Sequence, residues 1–375
     1  MNESMRRIRA LVKKELRQIF RDPKTKRVVF VAPVLQLLLF GYAVTTDVQD
    51  VALFVVDHDR TAASRALQDA FTASGLFRIG GRSDRAGDIG LALDRGDAVV
   101  GVQVPAGFAR DLAAGRGAQV QVLVDGTQSN TATVAQGYAS RIVQDFGIEY
   151  ARERGVQLPG GVELRSRAWF NPGLTSRAYN VPAVMGVLLL LMSLLLTALA
   201  VVRERELGTL EQLMVSPITA GELILGKTLP VVIIALIDLG LICAVAILWF
   251  GITLQGSVLT LVFAALLYIL ASLGAGLLIS TISQTQQEAF MVMFLLLLPA
   301  VILSGFMYPV HTMPAFFQAL SLLNPVRHFL EIVRGVFLKG DGVLDLWRQL
   351  AIIAAMAAAL LLAAIVRFGR SMQRA

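Results

Sequence analysis

The sequence contains a single cysteine, Cys243, in 375 residues. No intramolecular disulfide can form, which excludes the stapled scaffolds of small secreted domains. Its three histidines, His58, His311 and His328, are scattered, without the spacing of neighbouring metal ligands. Charge is scarce as well: 16% of residues are Asp, Glu, Lys or Arg, against roughly 25% in soluble domains. Lysine is missing from residues 47–177, where fourteen arginines face fifteen acids. No internal repeat or low-complexity tract stands out.

What is abundant is apolar. Hydrophobic residues make up 55% of the chain, which places it among membrane proteins. Crossing roughly 30 Å of hydrocarbon takes about 20 residues. Six stretches qualify: 28–46, 181–202, 229–250, 257–280, 289–310 and 350–368. One lies near the N-terminus and five crowd the second half. The residues between the first two have ordinary globular composition and the size of one domain. The first stretch exceeds a signal-peptide core, and GYAVTTDVQD follows it in place of a small-residue cleavage site. It reads as an uncleaved anchor.

Residues 1–27 hold ten Lys and Arg against three acids, a surplus equal to the formal net charge of +7. The positive-inside rule puts this end in the cytoplasm. Domain 47–178 then lies outside, and six spans return the C-terminus, with Arg367, Arg370 and Arg374, to the cytoplasm. Segment 311–349 fits less well: it is expected outside yet carries Arg327, Arg334, Lys339 and Arg348. The LLPAVILSGFMYP run, with Pro299, Gly305 and Pro309, points to a broken or bent element in 289–310. The basic balance does not imply nucleic acid, because the charge sits on one segment beside a membrane. In MRRIRALVKKELRQIFRD, Met5, Ile8, Val12, Leu16 and Ile19 recur at helical spacing, widened by Leu11 and Phe20. Lys and Arg fill the other face, so 1–27 reads as a cytoplasmic amphipathic interfacial helix lying on lipid. Docking by its polar face is the alternative.

In the inserted domain, VALFVVDHD, DAVVGVQV and AQVQVLVDG read as strands. TAASRALQDAFTASGLF reads as a helix with Leu67, Ala70, Phe71 and Leu76 on one side. PAGFARDLAAG reads as a short helix with Pro105 in its first turn. A long helix runs from about Thr131 to Arg154. The alternation predicts a small α/β domain with at least partly parallel strands. Asp57-His58-Asp59 resembles a metal cluster, but adjacent residues at a strand end do not converge on one ion, and turn formation is the plainer reading.

GELILGKT at 221–228 matches the phosphate-binding G-x-x-x-x-G-K-[ST] pattern letter for letter. A phosphate cradle needs a preceding strand and an open loop of backbone N–H groups. Here the middle is Glu-Leu-Ile-Leu, and Thr219 with Glu222 forms a capping box that starts a helix before Gly221. Lys227 then reads as a snorkelling residue at the mouth of a span.

Between the second and third spans, residues 203–217 read RERELGTLEQLMVSP. A helix ends at about Leu207, with Gly208 supplying a left-handed turn. Thr209 and Gln212 form another candidate capping box, a short helix covers 210–215, and Pro217 closes it. Leu210, Leu213 and Met214 give an apolar stripe, with Glu211 opposite and Glu204 and Glu206 in the preceding turn. A stiff helix across two span ends is a lever, and three Glu favour a protein partner over anionic lipid.

Taken together, these segments resemble ABC-2-type exporter permeases. The resemblance is carried by Arg203, Glu204, Arg205, Glu206, Gly208, Thr209, Glu211, Gln212, Ser216 and Pro217, and by Leu225-Gly226-Lys227. It continues through ISTISQTQQ (279–287), LSGF (303–306), Asn324-Pro325 and HFLEIVRG (328–335). VVDHDR (55–60) and VLVDGT (122–127) resemble the branch with a large outer domain. The resemblance implies a polytopic α-helical fold of six transmembrane helices, with the α/β domain inserted after the first. It further implies a dimer with a second copy or paralogue, and two separately encoded ABC ATPase subunits that carry ATP and Mg. The 203–219 loop is their coupling contact, and some relatives use a periplasmic adaptor. The resemblance also implies the bacterial inner membrane, no catalytic site or cofactor on this chain, and outward movement of a small amphiphilic or drug-like substrate, or of a lipid or polymer.

Asp238 falls near the middle of the third span, where a carboxylate costs roughly 2.5–3.5 kcal/mol. It is a candidate for the transport pathway, a structural hydrogen bond being the other reading. Phe290, Met293 and Phe306 are further pathway candidates, beside ordinary packing roles. Gly274 and Gly276, with Ala271 and Ser272, allow close helix packing. The competing functional reading is a membrane-anchored sensor or assembly protein acting through its outer domain. Five clustered spans and a lever argue against it.

Overall fold

Long apolar runs form helices because a chain in hydrocarbon must satisfy its own backbone groups. The computed structural model describes residues 3–43, 50–115, 117–127, 129–153, 169–170, 175–208 and 219–372. It divides into one unit of Met1–Thr45 with Ala168–Ala375, and another of Thr46–Arg167.

The larger unit is helical. Helix α1 (Glu3–Arg21) stops at Pro23, and a short π-helical stretch, Arg27–Val31, leads into α2 (Ala32–Ala43). Then come α7 (Ser176–Glu206), α8 (Ala220–Leu248), α9 (Val258–Ile282), α10 (Gln286–Ile302), α11 (Ala315–Ser321), α12 (Pro325–Arg334) and α13 (Trp347–Met372). The labels α3–α6 fall in the smaller unit. Among the described residues, four helices are long and apolar enough to cross a membrane: α7, α8, α9 and α13. The first and fifth expected spans are shorter apolar helices, Arg27–Ala43 and Gln286–Ile302. A 17-residue helix such as α10 rises about 25 Å, short of the roughly 30 Å core.

The fifth stretch therefore does not run through to residue 310. It ends at Leu303, and Gly305 turns the chain at φ +81°. Segment 311–349 contains α11 and α12. Helix α12 returns into the bundle against α7, α9 and α13, with Val326, Phe329, Leu330 and Ile332 fully buried. Phe329 stacks on Tyr268 of α9 at 4.1 Å, and the Tyr268 hydroxyl donates to the Gly186 carbonyl of α7. At Gly186 itself a Cβ would come within 2.8 Å of Leu330. Close packing of these rings holds the helices together, as van der Waals contact does in membrane bundles.

Helix α9 is gripped from two sides within the chain. A Cβ on Gly274 would lie 2.7–2.8 Å from Leu360 and Leu361 of α13, and one on Gly276 would lie 2.8 Å from Thr197 of α7. These glycines permit close approach of the helix backbones, as small residues do in membrane bundles.

The smaller unit holds strands β1 (Val51–Asp57), β2 (Phe77–Ser83), β3 (Val100–Val104) and β4 (Gln121–Val124) in the order β2-β1-β3-β4. Strand β1 pairs in parallel with β2 and β3, while β3 and β4 are antiparallel. Its helices are α3 (Ala62–Ala73), α4 (Gly87–Asp94), α5 (Phe108–Ala113) and α6 (Ser129–Glu153). Two elements escape the sequence reading. FRIGGRS is an edge strand whose two glycines and two arginines hide it, and α4 is only eight residues long. Pro105 does not open α5. It sits in the turn before, and Gly107 caps the helix at φ +85°. The core joins Leu53, Val55, Leu67, Phe71, Phe77, Val102 and Phe108 to Ala135 and Ala139 of α6.

Candidate functional site

Helix α1 packs on α8 through Leu11, while Met5 and Phe20 of the expected stripe are exposed. Leu11 is buried on Gly226, where a Cβ would come within 2.8 Å of it. One helical turn on, Glu15 is also buried. Its partner is Lys227, whose Nζ lies 3.1 Å from Glu15 Oε1 and 3.0 Å from Glu204 Oε1. The Lys227 side chain is 4% exposed. It is thus not a snorkelling residue: its charge points into the protein, where two carboxylates replace water. Lys14 Nζ lies 3.6 Å from Glu204, which makes a neutral quartet of two lysines and two glutamates. Nearer the start of α8, Arg7 reaches Glu222 at 3.7 Å. This clasp joins α1, the end of α7 and the start of α8.

The next residues of α7 extend the clasp. Arg205 Nη1 donates to the Ser280 and Ser283 carbonyls at 3.0 and 2.7 Å. A cation there satisfies the orphan carbonyls of α9 and its dipole. Glu206 Oε2 accepts from Gln286 Nε2 at 2.7 Å, at the N-terminus of α10. Arg203 is exposed, and Gly208 adopts φ +68° just past the end of α7. Of the three glutamates read as facing a partner, Glu204 is therefore engaged inside the clasp and Glu206 on α10. Thr209, Glu211, Gln212, Ser216 and Pro217, with the short 210–215 helix, lie outside the described residues.

Thr219 and Glu222 form a reciprocal capping box. Thr219 N–H donates to Glu222 Oε2 at 2.9 Å, and Glu222 N–H donates to Thr219 Oγ1. Helix α8 begins at Ala220. GELILGKT is thus continuous helix: the Glu222 N–H is taken by Thr219, and from Leu223 onward the N–H groups make intrahelical bonds, so no open loop is left to cradle phosphate.

Asp238 is fully buried on α8, and neither carboxylate oxygen has a hydrogen-bond partner among the described residues. Met293 is buried in the core beside α7, with Phe306 packed on the same cluster, and Phe290 is partly exposed on α10. Helix α10 packs on α7 and α9, whereas α8 packs on α1, α7 and α9.

In the smaller unit, Asp57, His58 and Asp59 diverge. Asp57 accepts from Ser64 and Gln68, and His58 Nε2 lies 3.0 Å from the Asp84 carbonyl. Asp59 accepts from the Gly107 and Ala109 N–H groups and from Thr61. Burial raises the Asp59 carboxyl, but these hydrogen bonds outweigh it and hold the group below its ordinary value. No cluster of three potential ligands occurs among the described residues. The carboxylate of Asp59 occupies the start of α5, where a ligand anion would otherwise sit.

The ABC-2 family transporter model matches residues 28–366. The chain belongs to the ABC-2 transporter family. It is 34% identical over 345 residues to the probable multidrug ABC transporter permease YbhR of Escherichia coli K12, covering 92% of this chain and 93% of that one. It is also 34% identical to the probable multidrug ABC transporter permease YbhS of the same strain, over 90% of each chain. A more remote relative is the linearmycin resistance permease protein LnrN of Bacillus subtilis, 20% identical over 94% of this chain. Membership makes this ABC-2 protein a membrane permease. The residue that sequence reasoning missed is Glu15. Its signal is a charge inside an apolar stripe, between Leu11 and Ile19 at four-residue spacing.

Proposed function

We propose that this chain is the membrane-spanning permease of an ATP-driven exporter, moving amphiphilic drug-like compounds outward. ATP and Mg bind separate ATPase subunits, which dock on residues 203–219. The observation that carries this reading is the clasp. The 209–218 loop leaves from α7 and enters α8, and both ends are charge-locked to α1, α9 and α10. A push on that loop is delivered to five helices together, whereas a passive connector needs no such bracing. The multidrug names of the two E. coli relatives support the substrate class. The active unit is a dimer of permeases, with both termini and the clasp on the cytoplasmic side of a bacterial inner membrane. The smaller α/β unit lies outside, where an adaptor protein has access to it.

The test is affinity purification from native membranes in mild detergent, with partners identified by mass spectrometry. Because Glu204 holds the clasp, the variant to use is Arg203→Glu with Glu211→Lys. An ABC ATPase is expected with wild type and lost from the folded variant. Wild type arriving with no ATPase overturns the proposal and moves attention to the α/β unit.

A further inference from the structure

Strands β1 and β2 of the α/β unit run parallel, with Val55 beside Arg82 and Val56 beside Ser83. Both strands therefore end at the same edge of the sheet. In open parallel sheets, ligands bind at that carboxyl end. On the β1/β3 side the protein fills the place itself, because Asp59 accepts from the Gly107 and Ala109 N–H groups. The β1/β2 side is open. A groove of about 570 Å³ lies there, and Asp57, Arg60, Arg65, Gln68, Arg82 and Asp84 are among its lining residues. Small-molecule sites span roughly 300–1,000 Å³.

The charges in this groove do not cancel. Both oxygens of Asp57 are occupied from within the unit. Its Oδ1 accepts from the Asp59 and Arg60 N–H groups at 3.0 and 2.9 Å, and its Oδ2 from Ser64 Oγ and Gln68 Nε2 at 2.7 and 3.0 Å. Asp84 pairs with Arg60 at 2.6 Å. Among the described residues, Arg65 and Arg82 are left without a carboxylate. Arg65 spends one nitrogen, Nη1, on the Arg60 carbonyl at 3.0 Å. One exposed arginine needs no explanation. Here two of them, from α3 and β2, line the same groove, and like charges so placed repel unless an anion lies between them. Each guanidinium also offers parallel N–H donors that match two oxygens of one carboxylate or phosphate. The walls are fixed in advance. The Arg60–Asp84 pair and the 3.0 Å contact of His58 Nε2 with the Asp84 carbonyl tie the two strand-end turns together. A capping box of Thr61 and Ser64 anchors the start of α3.

We propose that the groove at the carboxyl ends of β1 and β2 binds a small organic anion, whose carboxylate or phosphate oxygens are held between Arg65 and Arg82. The site lies wholly within the α/β unit and stands independently of the ATPase partnership. A groove of this size seats a solute, whereas a stable protein contact covers about 800 Å² per partner.

The experiment uses the full chain in neutral detergent at constant ionic strength. Calorimetric titrations are run with citrate, glucose 6-phosphate, inorganic phosphate, glucose and a tetraglutamate peptide, and hydrogen exchange is recorded with each. Wild type should bind citrate or glucose 6-phosphate saturably and leave glucose unbound; the one that binds identifies the group as carboxylate or phosphate. Protection should appear at residues 58–68 and 82–88, which separates this site from anions on the basic face of α1. Arg82→Gln and Arg65→Gln should each weaken binding about tenfold or more, since each removes charge-assisted hydrogen bonds. Both side chains are exposed, so the variants should fold, and unchanged exchange in β1 without ligand checks it. Arg82→Lys should recover only part of the affinity, because it keeps the charge but not the paired donors. Inorganic phosphate binding as tightly as glucose 6-phosphate would reduce the groove to a free-oxyanion site and overturn the organic ligand. Tetraglutamate binding more tightly than either solute would reassign the groove to an acidic protein partner. No saturable heat from any of the anions, or unchanged affinity in both Gln variants, would overturn the site altogether.

Discussion

Replacing Lys227 by Met removes the centre of the clasp and keeps the volume. Each of its two ion pairs, at 3.0 and 3.1 Å, is worth roughly 5 kcal/mol of Coulomb energy at an effective dielectric of about 20. Desolvation of the buried charges cancels much of that in the intact protein. The variant suffers the reverse: Glu15 and Glu204, with side chains 12% and 14% exposed, remain buried without the cation. Breaking a buried pair in this way costs about 3–5 kcal/mol. Lys14 offsets little, because its side chain is half exposed and 3.6 Å away. At about 1.4 kcal/mol per tenfold, the undocked population of α1 should rise at least ~100-fold. Trypsin reports it, since α1 carries Arg and Lys along its exposed face, and cleavage follows the open population when reclosing is fast. Rate constants for cleavage within residues 3–21 would be compared in sealed vesicles. The triple variant Lys227→Met, Glu15→Gln, Glu204→Gln should return most of the protection, because no charge is left stranded. Cleavage of a folded Lys227→Met protein at the wild-type rate would refute the reasoning, and α1 would then be held by lipid and apolar packing alone.

Gly226→Leu should likewise expose α1 to trypsin, since even a Cβ meets Leu11 at 2.8 Å; Leu11→Ala in the same chain should restore protection. Gly274→Ala should lower the unfolding temperature of the detergent-solubilised chain more than Gly226→Ala. Its Cβ meets the backbone at Leu360 and Leu361, which cannot rotate away. The depressed Asp59 carboxyl contributes stability that is full above its ordinary value of 3.8 and is lost as pH falls below it. Protection factors of β1 and β3 amides, corrected for the intrinsic exchange rate at each pH, should fall at acid pH in wild type and lose that component in Asp59→Asn. Asp238→Asn should leave assembly intact, because it removes a buried carboxylate without a hydrogen-bond partner among the described residues, yet abolish export of cationic compounds; export at the wild-type rate would take Asp238 out of the pathway.

Periodicity and length alone determine a good deal here. The apolar runs that became α7, α8, α9 and α13, the stripe on α1, the cap at Thr219 and the turn at Gly208 are local properties. Each is set by a few neighbouring residues and by the need to satisfy the backbone. The motif set from Arg203 to Gly335 likewise places the chain in its family. Tertiary structure decided the rest. A stripe says which face is apolar but not what covers it, so the contact of Leu11 with Gly226 could not be read from α1 alone. The Lys227–Glu15 pair joins residues 212 positions apart, and no local pattern couples such charges. Hydropathy also cannot tell a straight span from α10, which stops short at Gly305, nor from α12, whose polar flanks disguise a helix that folds back into the bundle. Those outcomes depend on which surfaces pack closely enough to exclude water, and that is settled only when the whole bundle assembles.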